Sequence, residues 1–123
     1  MKKVTMRDIS KVPVEMRGGL FTGTQVYRQT ILPPEDGESF NFGIVTFKAG
    51  SRNKFHKHSG DQILVITEGT GKVATNNEVV TVTEGDVVLI PAGENHWHGA
   101  PDGTDMAHIT ILVKECQTSQ TEV

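Results

Sequence analysis

Apolar residues in this chain alternate with polar ones at every second position, in short runs broken by Gly, Pro, Asn and Asp, and no stretch sustains a helical period. Residues 40–48 (FNFGIVTFK) place Gly43, Val45 and Phe47 on one face and Phe42, Ile44 and Thr46 on the other; both faces are largely apolar. Such a strand belongs inside a sandwich or barrel, not at a solvated edge. If the Gly43 face looks inward, the missing side chain leaves room for a ligand. Residues 62–67 (QILVIT) repeat the pattern, with Gln62 heading a face otherwise made of Leu64 and Ile66. Residues 21–32 are rich in Thr, Val, Tyr and Ile and are stopped by Pro33-Pro34, which predicts one strand. Further strands are predicted at 87–90 and 106–113. A hairpin is predicted from 72–75 and 78–83 across Asn76-Asn77, after a turn at Glu68-Gly69-Thr70-Gly71. The pattern predicts an all-β fold, an antiparallel barrel of jelly-roll type.

The two ends differ from this middle. Residues 1–20 have no sustained period and are broken by Pro13 and Gly18-Gly19, which predicts an extended N-terminal arm. Small barrels often cover open edges with a neighbour's arm, so the expectation is a homo-oligomer, a dimer or tetramer, held partly by this segment. Residues 21–113 form the barrel. Residues 114–123 are polar and are expected to be a disordered tail.

At 123 residues the chain has room for one domain and no separate regulatory module. A net charge of -3 with no run of Lys or Arg points away from nucleic acid and from anionic membranes, and towards a small-molecule partner. The lysines at the N-terminus have no apolar segment behind them, and no run is long enough to span a bilayer, so a soluble, cytoplasmic protein is expected. Cys116 is the only cysteine, which excludes an internal disulfide and fits a reducing compartment.

Candidate chemistry gathers between residues 50 and 100, where four of the five histidines lie. In a strand, His56 and His58 point to one face. Ser59-Gly60-Asp61 reads as a tight turn bringing Gln62 back beside them, and the turn at Pro91-Ala92-Gly93 sets His96 at the start of another strand. Three imidazole nitrogens and one amide oxygen form a site suited to one divalent transition metal: Mn, Fe, Co, Ni, Cu or Zn. His98 shares a face with His96, about 6 to 7 Å along at ordinary strand rise, too far for the same coordination sphere. His108 interrupts the apolar strand 106–113, where a buried imidazole needs a partner. Lys54 is a nearby cation.

The spacing Gly50-x5-His56-x-His58-x3-Gln62-x6-Gly69, followed by Gly85-x5-Pro91-x-Gly93-x2-His96, resembles the two-part signature of the cupin superfamily. That resemblance implies a single cupin barrel, a double-stranded β-helix, with a metal held by the matching positions His56, His58, Gln62 and His96. Gln62 stands where the family most often has Glu, and Ala100 where the second half usually ends in Asn. QILVITEGTG and Glu94-Asn95-His96-Trp97-His98-Gly99-Ala100 are similar to the small manganese-dependent cupins that cleave cyanohydrins, the cupin-type hydroxynitrile lyases. Those enzymes carry Gln at the fourth ligand position and two further active-site histidines, matching His98 and His108. The likeness departs after Arg52, where Asn53 stands and the family has a nearby Thr.

The resemblance implies a metal-dependent lyase, manganese most readily, in which the metal lowers the pKa of a substrate hydroxyl. His98 takes its proton, and His108 or Lys54 stabilises the departing anion. Gln62 leaves the metal its full charge where Glu would cancel one unit, which favours polarisation over redox chemistry. Two alternatives stand beside it: a cupin dioxygenase acting on a flavonol or diketone, and a non-catalytic metal- or sugar-binding barrel.

Overall fold

The alternation along residues 62–67 builds the barrel wall. Gln62, Leu64 and Ile66 are buried, Ile63 is exposed, and Val65 and Thr67 are half-buried. The computed structural model describes all 123 residues and contains twelve strands. In chain order these are β1 (Val12–Pro13), β2 (Phe21–Thr22), β3 (Val26–Leu32), β4 (Phe40–Phe47), β5 (Ser51–Asn53) and β6 (His56–His58). They continue with β7 (Gln62–Thr75), β8 (Val79–Thr83), β9 (Val87–Ile90), β10 (His96–Ala100), β11 (Met106–Val113) and β12 (Thr118–Gln120). A single 3-10 turn, Met6–Asp8, precedes them. Every pairing is antiparallel. One wall runs β1-β3-β4-β11-β7-β9; the other joins β8, β7, β10, β5 and β2, with β6 on β10 and β12 on β6.

Strand β7 belongs to both walls, and this corrects the expected turn at residues 68–71. Residues up to Gly69 pair with β9 and β11, and those from Thr70 onward pair with β8 and β10. Gly69 has φ +70°, and a Cβ there would come within 1.8 Å of the Asp105 carbonyl oxygen. Glycine therefore bends one continuous strand around the barrel's corner instead of ending it. The single strand expected over 21–32 is likewise two, β2 and β3, broken at Gly23, where φ is +111° and Gly50 and Ser51 crowd the backbone.

Both ends pack on the barrel, and the tail departs from expectation. The arm lies on its own barrel: Val12 and Pro13 pair with Arg28 and Tyr27 of β3, and Gln29 Nε2 donates to the Ile9 carbonyl at 2.8 Å. The tail is ordered. Residues 118–120 pair with β6 in the register Thr118↔His58, Ser119↔Lys57 and Gln120↔His56. Glu122 closes it with two bonds from the Arg52 guanidinium (3.0 and 2.9 Å) and one from the Phe55 backbone N–H (2.8 Å).

The apolar core, from Val26 and Phe47 through Leu64, Ile66 and Met106 to Val73, Val82 and Ile90, fills one part of the interior. Phe47 marks its border: its ring lies 5.7 Å from that of His98 and 5.6 Å from that of His108. Beyond it the interior turns polar.

Candidate metal and active site

A cavity of about 440 Å³ opens into the barrel beside this border. The ligand nitrogens of His56, His58 and His96 lie within 4.8 Å of one another, and all three residues are buried. The strand alternation places them. His56 and His58 share the inner face of β6, and His96 pairs directly with His56 across β6 and β10. The turns that carry the two halves are tied together, since Gly93 N–H donates to the His58 carbonyl at 2.8 Å.

The hydrogen bonds behind the rings fix which nitrogen faces inward. His56 Nδ1 lies 2.6 Å from the Lys54 carbonyl, and His96 Nδ1 lies 2.8 Å from that of Glu94. A carbonyl only accepts, so each Nδ1 carries the proton and each Nε2 offers a lone pair. His58 Nδ1 meets the Thr118 hydroxyl at 2.9 Å, and its Nε2 is buried with no partner. Gln62 donates through Nε2 to the Thr110 hydroxyl at 2.8 Å, which turns its Oε1 inward to 3.2 Å from His96 Nε2. Two lone pairs thus face each other beside an unsatisfied third, an arrangement that costs free energy unless a cation lies between them. The four residues fit a divalent metal, and the carbonyls and hydroxyls behind the imidazoles are the outer supports that such ligands use. Burial lowers the pKa of all three histidines, to about 4 for His56 and His58. They are therefore neutral at pH 7, the form that binds metal.

His98 and His108 lie outside this group, next to it. The His98 ring is 5.6 Å from that of His96 and 5.7 Å from that of His56. His98 Nδ1 and His108 Nε2 are 2.9 Å apart. Asn53 orders the pair: its Oδ1 accepts from the His98 backbone N–H at 2.8 Å, leaving Nδ2 as a donor 3.2 Å from His98 Nε2. The chain of donors then runs Asn53 Nδ2 to His98 Nε2, His98 Nδ1 to His108 Nε2, and His108 Nδ1 to the Ile109 carbonyl at 3.3 Å. Burial pushes the pKa of both imidazoles down, His108 to about 4.

Lys54 is corrected. It does not line the cavity; it lies between β5 and β6, where the alternation is interrupted, and contributes its backbone carbonyl to His56 instead. Asn53 was visible in the sequence only as a departure from a pattern. Thr110 shares the inward face of β11 with His108 and was within reach of the alternation argument. Thr118, in a polar tail, carried no signal.

A twelve-stranded antiparallel barrel with three histidines and a glutamine converging inside it defines a metal-binding cupin, and the chain belongs to that family: residues 43–112 match the Cupin domain. Among characterised proteins it is similar to an (R)-mandelonitrile lyase from Granulicella tundricola, with 34% identity over 112 residues, 90% of this chain and 82% of that one. Among solved structures it is similar to a cupin-like protein from Thermotoga maritima (32% identity, TM-score 0.77, 84% of this chain and 80% of the other). A polyketide cyclase from Streptomyces resistomycificus shares the fold at 16% identity (TM-score 0.85, 100% and 87%). No helix is long and apolar enough to cross a membrane.

Proposed function

We propose that this cupin is a metal-dependent lyase that breaks a C–C bond next to a hydroxyl group, as in a cyanohydrin, with manganese at the His56, His58, Gln62 and His96 site. The observation that carries the reading is the hydrogen-bonded imidazole pair, His98 and His108, set in one cavity with four converging neutral donors. The metal, when bound, supplies Lewis acidity towards an oxygen. His98 lies between the ligand group and His108, and its unprotonated Nε2 is the atom placed to take a substrate hydroxyl proton, giving up the bond from Asn53 Nδ2 as it does so. Its Nδ1 contact lets His108 share the added charge, and Asn53 Oδ1 keeps its bond from the His98 backbone N–H. For a cyanohydrin the O–H proton leaves to the pair, the C–C electrons leave with cyanide, and the same proton returns to cyanide, giving a carbonyl compound and HCN. The similarity to a mandelonitrile lyase supports this reaction type.

The test is metal content and mandelonitrile cleavage measured together for wild type, His98→Ala and His108→Ala. Metal should stay near one per chain while turnover falls by about 10²-fold, the scale of losing a positioned base. Undiminished turnover in both variants removes the pair from the reaction. Oxygen uptake on a flavonol or diketone without cyanohydrin cleavage establishes the dioxygenase reading in its place.

A further inference from the structure

The cavity carries an electrostatic imbalance that a neutral substrate does not answer. On β3 the usual burial is inverted. Gln29 and Ile31 point away from the barrel interior yet are buried at 7% and 5% exposure, Gln29 being bonded to the N-terminal arm. Arg28 and Thr30 share the inward face with core residue Val26 and are exposed, because here the interior is the open cavity. An arginine on an inward face normally requires a carboxylate, and Arg28 makes no ion pair. Its guanidinium lies 5.7 Å from the ring centre of Phe21, which also lines the cavity.

Arg28 is the only Lys or Arg lining the cavity, and no Asp or Glu lines it. All four donors at the ligand cluster are neutral, so a bound dication keeps its full charge. Two centres of positive charge then share one space with nothing in its wall to offset them. Arg28 also occupies a defined place. It pairs with Val45 across β3 and β4, and Val45 pairs with His108 across β4 and β11, so Arg28 and His108 share one cross-strand row. Two strand spacings, about 10 Å, separate their backbones.

We infer that the physiological ligand of this cavity is a small hydroxy or keto acid whose carboxylate is held by Arg28 while its oxygen end lies at the histidine cluster. This rests on the metal reading above and narrows its substrate class: the neutral cyanohydrin is a compound the site accepts, and an acid is the one it is built for. A planar guanidinium suits this role because it binds a carboxylate through two parallel hydrogen bonds.

The experiment is calorimetric binding to the metal-loaded full chain of mandelate and of para-(hydroxymethyl)benzoate, each beside its methyl ester, with wild type and Arg28→Met. At least one acid should bind about tenfold or more tighter than its ester, the scale of a charge-assisted contact. Arg28→Met should remove most of that preference while melting at an unchanged temperature. Equal binding of acids and esters overturns the proposal. So does a preference that survives Arg28→Met, which would place the carboxylate on the metal alone. Metal content and mandelonitrile turnover on the same preparations keep the two readings apart. Metal and cleavage without acid preference remove only the present inference, and a protein that takes up no metal removes both.

Discussion

The three histidines of the ligand group are held in two different ways. His56 and His96 are each oriented by the carbonyl two residues earlier in their own segment, Lys54 and Glu94. These contacts are backbone, so no side-chain substitution removes them. His58 is oriented by the hydroxyl of Thr118, sixty positions further along the chain. That hydroxyl is kept in place by β12, a three-residue strand with no buried side chain, and by the Arg52–Glu122 clasp. Two ligands are therefore set by local folding. The third depends on the chain's far end closing over β6, which makes the C-terminal segment a positioning element of the metal site.

The largest effect is expected where the comparison is broken outright. His96→Ala removes a ligand of the locally fixed kind, and elemental analysis should show metal falling from near one per chain to a small fraction. Full occupancy in that variant would mean the site lies elsewhere. Next comes the far-end support. Thr118→Val should weaken metal binding by about 10- to 100-fold, the usual consequence of losing a ligand's outer partner. Thr118→Ser should restore it, and a competition titration with a chromogenic chelator reads both. Affinity unchanged in Thr118→Val would show that β6 alone orients His58.

Gln62→Glu sharpens the comparison from the other side. The bond from Gln62 Nε2 to Thr110 is lost, but a carboxylate binds metal at least as well, so metal content should hold while cyanohydrin cleavage slows several-fold through reduced Lewis acidity. Loss of metal would displace Gln62 from the ligand set.

The smallest effect concerns pH and the clasp. The Arg52 guanidinium, helped by the Phe55 N–H, holds the Glu122 carboxyl at about 2, below its ordinary 4.5. A depressed acid pKa stabilises the folded state above the unfolded value, and that contribution is lost as pH falls from about 4.5 towards 2. Arg52 also stacks on Trp97, the only tryptophan, with Cζ 5.0 Å from the ring centre, so indole fluorescence reports the clasp. Metal-free wild type should show a fluorescence change in that pH window, beyond whatever Glu122→Gln shows. Identical profiles would mean that the ion pair does not hold the segment.

Much of this was legible in the linear chain. Period-two alternation fixes which side chain of a strand faces inward, so Gln62 with Leu64 and Ile66, and His108 with Met106 and Thr110, could be assigned to the interior before any fold was known. The glycine and proline turns set the reach of each half-site, which is why His56, His58 and His96 were found together. Lys54 was placed at the site by nearness in sequence alone, and it falls in the break between β5 and β6, where the alternation gives no orientation.

What only the tertiary structure decided involves groups that pair across long separations with weak local signals. Gly69 reads locally as a turn and becomes a corner because the Asp105 carbonyl approaches it from another strand. The tail has no hydrophobic period; its order comes from backbone pairing with β6 and from an ion pair spanning seventy positions. Arg28 looks like any strand arginine until the arm covers one face of β3 and the cavity opens on the other. Composition and period determine which faces are apolar and which residues can bind metal. They do not determine which distant segment closes over a face, because that depends on backbone hydrogen bonds and charge pairs that form only once the barrel exists.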